Sequence, residues 1–382
     1  MNFPLNKNLD DNVKEFISSS ISLSYKIKSL EITDEAIFVD FEEDVSEDTV
    51  NALIQKLLYI SRSINRDILF DNCLQLNYAE NPMQKLESNG EVRKVANGMY
   101  SIQGTFLKLL QFFNNYIKEV ADKYNAVEQE YPILWPVELY RQINYFKEFP
   151  QQVILATTVK DNFEDRSKFA DLYAGENDYD SIDIREHMGN SRYGLQSAVC
   201  DTCYFLLRNK TDHKNTVYTT YNKVFRNEYS KIDSLDRLVN FSVRDIMFVG
   251  DKDFVLLMRQ RMIDEMIEFL KKFKLSSKIE TANDPFFSND SILKNVFQFT
   301  SRLKYELLSL LPFSNSYLAV GSINLHLDFF GRVFNIRLID GTHAHSGCLG
   351  IGFERLVYAL YSQYGPDTTL WPKGLRRELK LA

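Results

Sequence analysis

The chain has 382 residues, of which 45% are hydrophobic and 25% are charged, so it can bury a large core in one large domain and a smaller one. Four cysteines are too few for the disulfide framework of a small secreted protein. The net charge of -7 argues against an overall basic surface for tRNA, although a local basic patch stays compatible with it. The start of the chain lacks the pattern of a signal peptide, and no run approaches the roughly 20 apolar residues of a membrane span. We therefore expect a cytoplasmic protein.

Residues 1–85 hold 15 Asp and Glu against 8 Lys and Arg, which accounts for the whole net charge. In this segment SLEITDEAIFVDF alternates apolar and polar residues like a two-strand hairpin. The run SEDTVNALIQKLLYISRSI then repeats apolar residues at helical spacing after Ser46, a suitable N-cap. These patterns predict a small acidic α/β domain, which ends in the polar stretch NPMQKLESNGEV at residues 81–92.

Downstream, the long run YSIQGTFLKLLQFFNNYIKEVADKY predicts an amphipathic helix. Strands are predicted at QQVILATTV, VYTTYNKVF, VRDIMFVG, SYLAVGSINLHL and GRVFNIRLI, and further helices at DKDFVLLMRQRMIDEMIEFLKKF and FERLVYALYSQY. Many Tyr-, Phe- and Val-rich strands with few helices indicate an α+β fold with a mainly antiparallel sheet. A doubly wound nucleotide-binding fold is disfavoured, because no glycine-rich phosphate loop follows a strand.

The first motif with chemical meaning is VFRNE, in which Arg226 and Glu228 stand at alternate positions of a predicted strand and so share one face. An arginine offers a planar set of donors to a phosphate, and a carboxylate accepts hydrogen bonds from an amino group such as that of adenine. Taken alone, these residues are better explained as a surface ion pair.

The second motif is GCLGIGFERLVYAL, where glycines lead into a helix with Arg355 near its start. A close backbone approach beside a cation suits a bound polyphosphate. Gly347, Gly350 and Gly352 also fit a simpler role, in which they let a strand and a helix pack tightly.

An FRxE strand followed far downstream by a G-x-G-x-x-R helix resembles motifs 2 and 3 of the class II aminoacyl-tRNA synthetases, with VFRNE and GIGFER in those places. Further segments extend the resemblance, namely YPILWPVELYRQINYFKEFP, NDPFF, LKYELLSLLPF, GSINLHLDFFG, GTHAHSGCLGIGFERLVYALYSQYG and the terminal LWP. Together they resemble the amino acid:carrier protein ligases, relatives of the atypical archaeal seryl-tRNA synthetases. The resemblance covers residues 95–382, a class II synthetase-like catalytic domain, and leaves the role of residues 1–85 unassigned.

The resemblance implies an enzyme that uses ATP and Mg²⁺ to activate a small amino acid as an aminoacyl-adenylate. It places Arg226 on the α-phosphate and Arg355 on the γ-phosphate, with Glu228 setting the adenine or the amino group. The acceptor it implies is the phosphopantetheine thiol of a carrier protein, and not tRNA. The segment FVLLMRQRMIDEMIEFLKKFK is a candidate docking surface for this carrier, or simply a solvated helix face, through Arg259, Arg261, Lys271, Lys272 and Lys274.

The family holds a zinc ion with Cys, Glu and Cys in the aminoacyl pocket, and the matching residues here are Cys200, Asp245 and Cys348. Aspartate ligates zinc at the same metal–oxygen distance as glutamate but has a stem one methylene shorter. The alternative is that the cysteines are small buried hydrophobic residues. Cys203, three residues after Cys200, is assigned to the core, with a minor alternative as a replacement ligand.

Class II domains usually pair through their motif 1 region, so a homodimer is expected through the segment from Leu107 to Pro136. Two other functions stay open. One is a true, seryl-like aminoacyl-tRNA synthetase, which normally adds a basic or coiled-coil module where this chain has an acidic one. The other is a non-catalytic paralogue that binds a ligand as a regulator; the presence of both Arg226 and Arg355 argues against it.

Overall fold

The computed structural model describes residues 1–382 except 6–8, 10, 62–66, 175–182, 184, 228–233, 285, 287–290 and 382. The strands in these residues are β1 (Asn2–Pro4), β2 (Ile27–Ile32), β3 (Ala36–Phe41), β4 (Ile68–Asn72), β5 (Val92–Ala96), β6 (Met99–Ile102), β7 (Val127–Glu128), β8 (Leu134–Pro136), β9 (Leu155–Ala156), β10 (Tyr193–Leu195), β11 (Thr216–Phe225), β12 (Asn240–Gly250), β13 (Ser277–Thr281), β14 (Lys304–Leu311), β15 (Ser316–Leu327) and β16 (His345–Gly352). The α-helices are α1 (Asp11–Ser24), α2 (Glu47–Ser61), α3 (Met83–Ser88), α4 (Gly104–Asp122), α5 (Val137–Gln142), α6 (Tyr145–Glu148), α7 (Phe163–Tyr173), α8 (Cys200–Leu206), α9 (Lys252–Lys272), α10 (Ser291–Thr300), α11 (Phe329–Val333), α12 (Phe353–Tyr364) and α13 (Lys373–Glu378). None of these described helices is long and apolar enough to cross a membrane.

An eight-stranded sheet forms the centre of the fold, in the order β4-β13-β14-β15-β16-β12-β11-β7. All its neighbouring strands are antiparallel except β11 and β7, which are parallel. The long strands β11 and β12 are rich in β-branched and aromatic residues, which suit a buried pleated surface. The predicted α+β fold with a mainly antiparallel sheet is confirmed.

Three helices, α4, α9 and α12, cover one face of this sheet. In α4 the buried residues follow a spacing of three and four, including Phe106, Leu110, Phe113 and Ile117, so one stripe of the helix faces the core. The ring of Phe113 lies 5.6 Å from that of Phe269 in α9, centre to centre. Helix α12 packs against α4 and against strands β12, β14 and β15. The opposite face of the sheet is the one that bears the candidate site.

Near the N-terminus a second, smaller sheet has the order β1-β3-β2. It shares with α1 and α2 a hydrophobic cluster of its own, in which Ile17, Ile37, Val50 and Leu57 are fully buried. Strand β4 falls inside the segment 1–85, yet it hydrogen-bonds to β13 at the edge of the main sheet. The division into 1–85 and 95–382 stays a prediction.

Two segments predicted as strands fold differently. QQVILATTV has a strand only at Leu155–Ala156, because a 3₁₀ turn occupies Pro150–Gln152. GRVFNIRLI begins in helix α11 and continues as an irregular segment. A Cβ on Gly331 would lie 2.2 Å from the carbonyl oxygen of Ala344, and Asn335 has a left-handed φ of 50° that an extended strand does not allow.

Candidate active site

The candidate site lies on the sheet face opposite α4, α9 and α12. Arg244 of β12 donates to Asn114 of α4 at 2.7 Å, so the next residue, Asp245, points to the other face. Asp245 pairs with Gly350 of β16. Cys348, two residues before Gly350, therefore points to the same face as Asp245.

Cys200 reaches this face from the first turn of α8. Its backbone N–H donates to the carboxyl group of Asp245, and its thiol donates a hydrogen bond to the sulfur of Cys348. All three side chains are buried, and Asp245 is only 5% exposed. The structure thus brings together three residues that are 45 or more positions apart in the chain.

The pKa values of the two thiols are shifted in opposite directions. The hydrogen bond to Cys348, together with burial, raises the pKa of Cys200 well above its usual range. The hydrogen bond from Cys200, helped by those from His326 and Asn324, holds the pKa of Cys348 well below its usual range despite burial. Nδ2 of Asn324 and Nε2 of His326 lie 3.4 Å and 3.8 Å from the Cys348 sulfur. Burial and the nearby Cys348 charge raise the pKa of Asp245 well above its usual range.

This donor set suits zinc in its chemistry, because two sulfurs and a carboxyl group are buried side by side. Gly350 leaves room for the carboxyl group, since a Cβ there would lie 2.5 Å from Oδ1 of Asp245. Within the described residues, however, no three or more His, Cys, Asp or Glu side chains are arranged as a metal-binding group. The role of Cys200, Asp245 and Cys348 as ligands therefore stays a prediction.

Two further polar side chains belong to this pocket, the buried Asp201 and the half-buried His326, and sequence reasoning missed both. Oδ1 of Asp201 lies 3.8 Å from the sulfur of Cys200, and burial raises the pKa of Asp201 to about 7. Nδ1 of His326 lies 3.2 Å from the hydroxyl of Ser346. A charged residue inside the otherwise apolar run SAVCDTCYFLL was the available signal for Asp201. Cys203 is buried, and burial raises its pKa to about 12.

Arg226 and Arg355 converge on one aromatic ring, although they lie far apart in the sequence. Cζ of Arg226 is 5.6 Å from the centre of the Phe241 ring, and Cζ of Arg355 is 5.9 Å from the same centre. Nε of Arg226 donates to the carbonyl oxygen of Ser197 at 3.0 Å, which orients its guanidinium. Phe241 was not singled out in the sequence, where no motif marks it.

The VFRNE segment differs in part from its prediction as a strand. Strand β11 ends at Phe225, so Arg226 is the first residue after the strand. Glu228 lies outside the described residues. Burial raises the pKa values of Asp201 and Asp245, and the positive charge of Arg226 partly offsets this rise. Arg226 therefore lies close enough to the neighbouring pocket to affect its carboxyl groups. The region around Phe241, where the resemblance places the phosphates of ATP, is here called the nucleotide end. It therefore adjoins the pocket of Cys200, Asp245 and Cys348, which the resemblance makes the aminoacyl pocket and which is here called the amino end.

A group of half-buried charges borders the amino end. Nζ of Lys304 lies 2.8 Å from Asp284 and 2.9 Å from Glu306, and Gln298 donates to Asp284 at 2.8 Å. Although burial lowers the pKa of Lys304, the two carboxylates raise it above its usual value. Lys304 pairs with Asn324 in the sheet, so it shares the site's face. The sequence marked Asp284 only as part of NDPFF, and Lys304 and Glu306 only as parts of LKYELLSLLPF.

The cations proposed for carrier docking lie on α9, on the face opposite the site. Arg259 stacks over Tyr305 at 4.6 Å, and Lys272 lies 4.8 Å from the ring of Tyr116. Lys271 is 3.1 Å from Glu268 of the same helix. These side chains interact with other residues of the same chain. Their positions on α9 therefore add no support for the docking of a carrier protein on this helix.

Solved structures share this architecture. The seryl-tRNA synthetase of M. kandleri, in complex with A. aeolicus tRNASec, superposes with a TM-score of 0.74 over 100% of this chain and 77% of that one, at 16% identity. The chain has the class II aminoacyl-tRNA synthetase fold. The cytoplasmic serine–tRNA ligase of Naegleria fowleri in complex with AMP gives a TM-score of 0.60 over 88% of this chain and 72% of that one, at 11% identity.

Sequence comparison confirms the resemblance to both groups of ligases. Amino acid–acyl-carrier-protein ligase 2 of Bradyrhizobium diazoefficiens is 36% identical over 158 residues, which are 41% of this chain and 47% of that protein. The type-2 serine–tRNA ligase of Methanococcus aeolicus is 24% identical over 314 residues, 80% of this chain and 60% of that protein. The chain thus spans about half the length of the carrier-protein ligases that it matches. No protein-family model matches it.

Proposed function

We propose that this chain activates a small amino acid with ATP as an aminoacyl-adenylate and transfers it to the phosphopantetheine thiol of a carrier protein. The observation that supports activation is the convergence of Arg226 and Arg355 on the ring of Phe241. Beside it lies a buried pocket of sulfur and carboxyl groups. A cationic, aromatic place suits a nucleotide, and an anionic pocket suits an amino group.

In the first step, a carboxylate oxygen of the amino acid bonds to the α-phosphorus of ATP, and the bond to pyrophosphate breaks. The carboxylate is ionised at pH 7, so it needs no general base. Arg226 would neutralise charge on the α-phosphate and Arg355 on the γ-phosphate, and magnesium ions bound with ATP would supply further positive charge. The adenine would stack on Phe241, and Glu228 would accept a hydrogen bond from the adenine or from the substrate's amino group.

The amino end would receive the substrate's amino group. Cys200, Asp245 and Cys348 would hold a zinc ion, which would supply an open position for an uncharged amino group. The sulfur of Cys348 already accepts a hydrogen bond from Asn324 and lies within hydrogen-bond distance of Nε2 of His326, and these contacts orient it.

In the second step, the sulfur of the acceptor thiol bonds to the acyl carbon and the bond to AMP breaks, while the thiol proton leaves to solvent. The support for a carrier protein as acceptor is similarity to two Bradyrhizobium diazoefficiens proteins named amino acid–acyl-carrier-protein ligases, at 36% and 34% identity. Each of these matches covers 41% of the chain.

A tRNA acceptor is the second candidate, and the extent of two matches favours it. The serine–tRNA ligase match covers 80% of the chain, and the superposition on the M. kandleri enzyme covers all of it. The acidity of residues 1–85, with 15 acidic side chains against 8 basic ones, weighs against tRNA because it repels phosphates.

Two measurements test the proposal. The first is the exchange of labelled pyrophosphate into ATP, scanned over all amino acids, where activation requires exchange that depends on one or a few small amino acids. The second offers labelled amino acid with holo carrier protein, apo carrier protein or total tRNA. Label that appears on the holo carrier alone and is released by hydroxylamine supports a thioester. Label on tRNA alone would show that tRNA, and not a carrier protein, is the acceptor. Absence of pyrophosphate exchange would favour a non-catalytic regulator.

A homodimer is the proposed assembly. In the small sheet β8-β10-β9, Leu134 and Tyr193 are 40% and 49% exposed, while Trp135 between them is buried and donates to Thr202 at 2.8 Å. Exposed apolar side chains on a rigid element are typical of an interface. We expect a dimer in light scattering at micromolar concentration and a shift towards monomer in Leu134→Asp. A wild-type monomer would contradict this assembly.

A further inference from the structure

We infer that Glu354 is a positioning residue that sets the distance between Arg355 and Phe241 for the nucleotide, an inference that rests on the proposed function. Glu354 is the second residue of α12 and directly precedes Arg355. Its side chain is almost fully buried, at 4% exposure for the residue. A buried carboxylate is costly unless its oxygens are hydrogen-bonded, so its partners define what it holds in place.

Three donors satisfy this carboxylate. The backbone N–H of Ser242 donates to Oε2 at 2.7 Å, and the hydroxyl of Ser242 donates to Oε1 at 2.8 Å. Nζ of Lys223 lies 3.0 Å from Oε1 and also 2.6 Å from the Ser242 hydroxyl. The groups therefore close into one charge-assisted network between α12 and the strands β11 and β12. The negative charge in the first turn of α12 also complements the helix dipole.

Each partner in the network is linked by short backbone segments to the nucleotide end. Ser242 directly follows Phe241, Lys223 lies three residues before Arg226, and the carboxylate directly precedes Arg355. A shift of α12 along β12 would break both hydrogen bonds from Ser242. The network therefore keeps the two guanidinium groups at 5.6 Å and 5.9 Å from the Phe241 ring. Charge stabilisation of phosphates depends on such fixed geometry.

The competing explanation is that Glu354 only stabilises the fold through its ion pair. Another carboxylate of the chain with similar partners serves as a control for this explanation. Glu265 of α9 also pairs with a lysine and a hydroxyl, because Nζ of Lys123 lies 2.6 Å from Oε2 and the hydroxyl of Tyr124 donates to Oε1 at 3.0 Å. This group joins α9 to the end of α4 on the face opposite the site. Its loss should lower stability without changing nucleotide affinity.

The experiment compares full-length Glu354→Gln, Ser242→Ala and Glu265→Gln with the wild type. Isothermal titration measures the Kd of an ATP analogue with a methylene group between the α- and β-phosphorus, and pyrophosphate exchange measures KM for ATP and for the amino acid. We expect Glu354→Gln to raise both the Kd of the analogue and KM for ATP by about tenfold, with KM for the amino acid within about twofold. Ser242→Ala should act in the same direction more weakly, and it tests the network if Glu354→Gln folds poorly. Glu265→Gln should change Tm alone.

Three results would overturn the inference. Folded Glu354→Gln and Ser242→Ala that bind the analogue like the wild type would show that the network does not position the nucleotide end. Equal rises in KM for ATP and the amino acid would indicate a structural role only. A wild type that binds no ATP analogue would instead overturn the proposed function, and with it this inference.

Discussion

The two ends of the candidate site differ in charge and in what holds their side chains. At the nucleotide end, Arg226 and Arg355 approach an aromatic ring that comes from a different strand. At the amino end, hydrogen bonds link Cys200 to Asp245 and to Cys348 in a buried pocket. The first carries two guanidinium groups, and the second carries thiol and carboxyl groups. A substrate pair with a triphosphate at one end and an amino group at the other matches this separation. A change at the nucleotide end should therefore affect the use of ATP, and a change at the amino end should affect the affinity for the amino acid.

The largest expected effect is at the nucleotide end. Arg226→Ala and Arg355→Ala should each lower adenylate formation by at least ~100-fold, because each removes a charge-assisted contact to phosphate. Amino-acid-dependent pyrophosphate exchange measures the loss. Arg208→Ala is the control, since Arg208 also lies over an aromatic ring, 4.3 Å from the centre of Phe205, but outside the nucleotide end. Near-normal exchange in either site variant would mean that ATP binds elsewhere.

At the amino end, we expect one zinc ion per chain and an effect on amino-acid affinity of at least about tenfold when a ligand is lost. Cys348→Ser should lose the metal in elemental analysis and raise KM for the amino acid more than KM for ATP. Cys73→Ser, at an exposed cysteine, should leave both values unchanged. Metal-free wild-type protein, or unchanged amino-acid affinity in Cys348→Ser, would remove zinc from the proposal.

A smaller change at the same end is Gly350→Ala. The new Cβ would lie 2.5 Å from Oδ1 of Asp245, so the carboxyl group must move, and KM for the amino acid should rise by roughly tenfold with a stability loss of about 1–3 kcal/mol. Gly352→Ala is the control for stability, because its Cβ would make ordinary contacts at 3.8 Å and 3.9 Å. Equal thermal melting of Gly350→Ala and Gly352→Ala would show that Asp245 tolerates displacement.

Short periodic patterns predicted the fold well where one face of an element is buried. The helical spacing of α4 and α9 and the strand patterns of β11, β12 and β15 all occur in the structure near their predicted positions. The segment GRVFNIRLI failed because its alternation hides a close contact of Gly331 with Ala344 and the left-handed Asn335. Such tertiary contacts and backbone angles do not appear in hydrophobic periodicity.

The site was partly visible in the sequence, because Arg226 and Arg355 stand in motifs whose residue types have a direct chemical use. Phe241 and Asp201 were missed, since an aromatic residue in a strand and an acid in a helix are common and acquire meaning only from their neighbours. The network of Ser242 and Glu354 depends on contacts between residues 112 positions apart. Such pairing requires the three-dimensional structure.

The smallest expected effect is that of a substitution at His213, a residue outside both ends of the site. It tests whether the effects of the other substitutions are local. His213 is 2% exposed, and burial, with the nearby Lys210 charge, lowers its pKa below the usual 6.5. The unfolded chain therefore binds more protons at this residue than the folded chain does, so its contribution to stability is present above pH 6.5 and is lost as pH falls through the folded pKa. We therefore expect the free energy of unfolding, measured with denaturant, to decrease as the pH is lowered from 7.5 to about 5. The decrease should be steeper in the wild type than in His213→Gln.

At pH 7.5 the His213→Gln variant should keep KM for ATP and for the amino acid within about twofold of the wild type, because the side chain contacts neither end. If the free energy of unfolding depends on pH equally in the wild type and the variant, His213 does not contribute to the pH dependence of stability. If only one of the two KM values changes, the two ends are coupled to the rest of the sheet and cannot be altered separately.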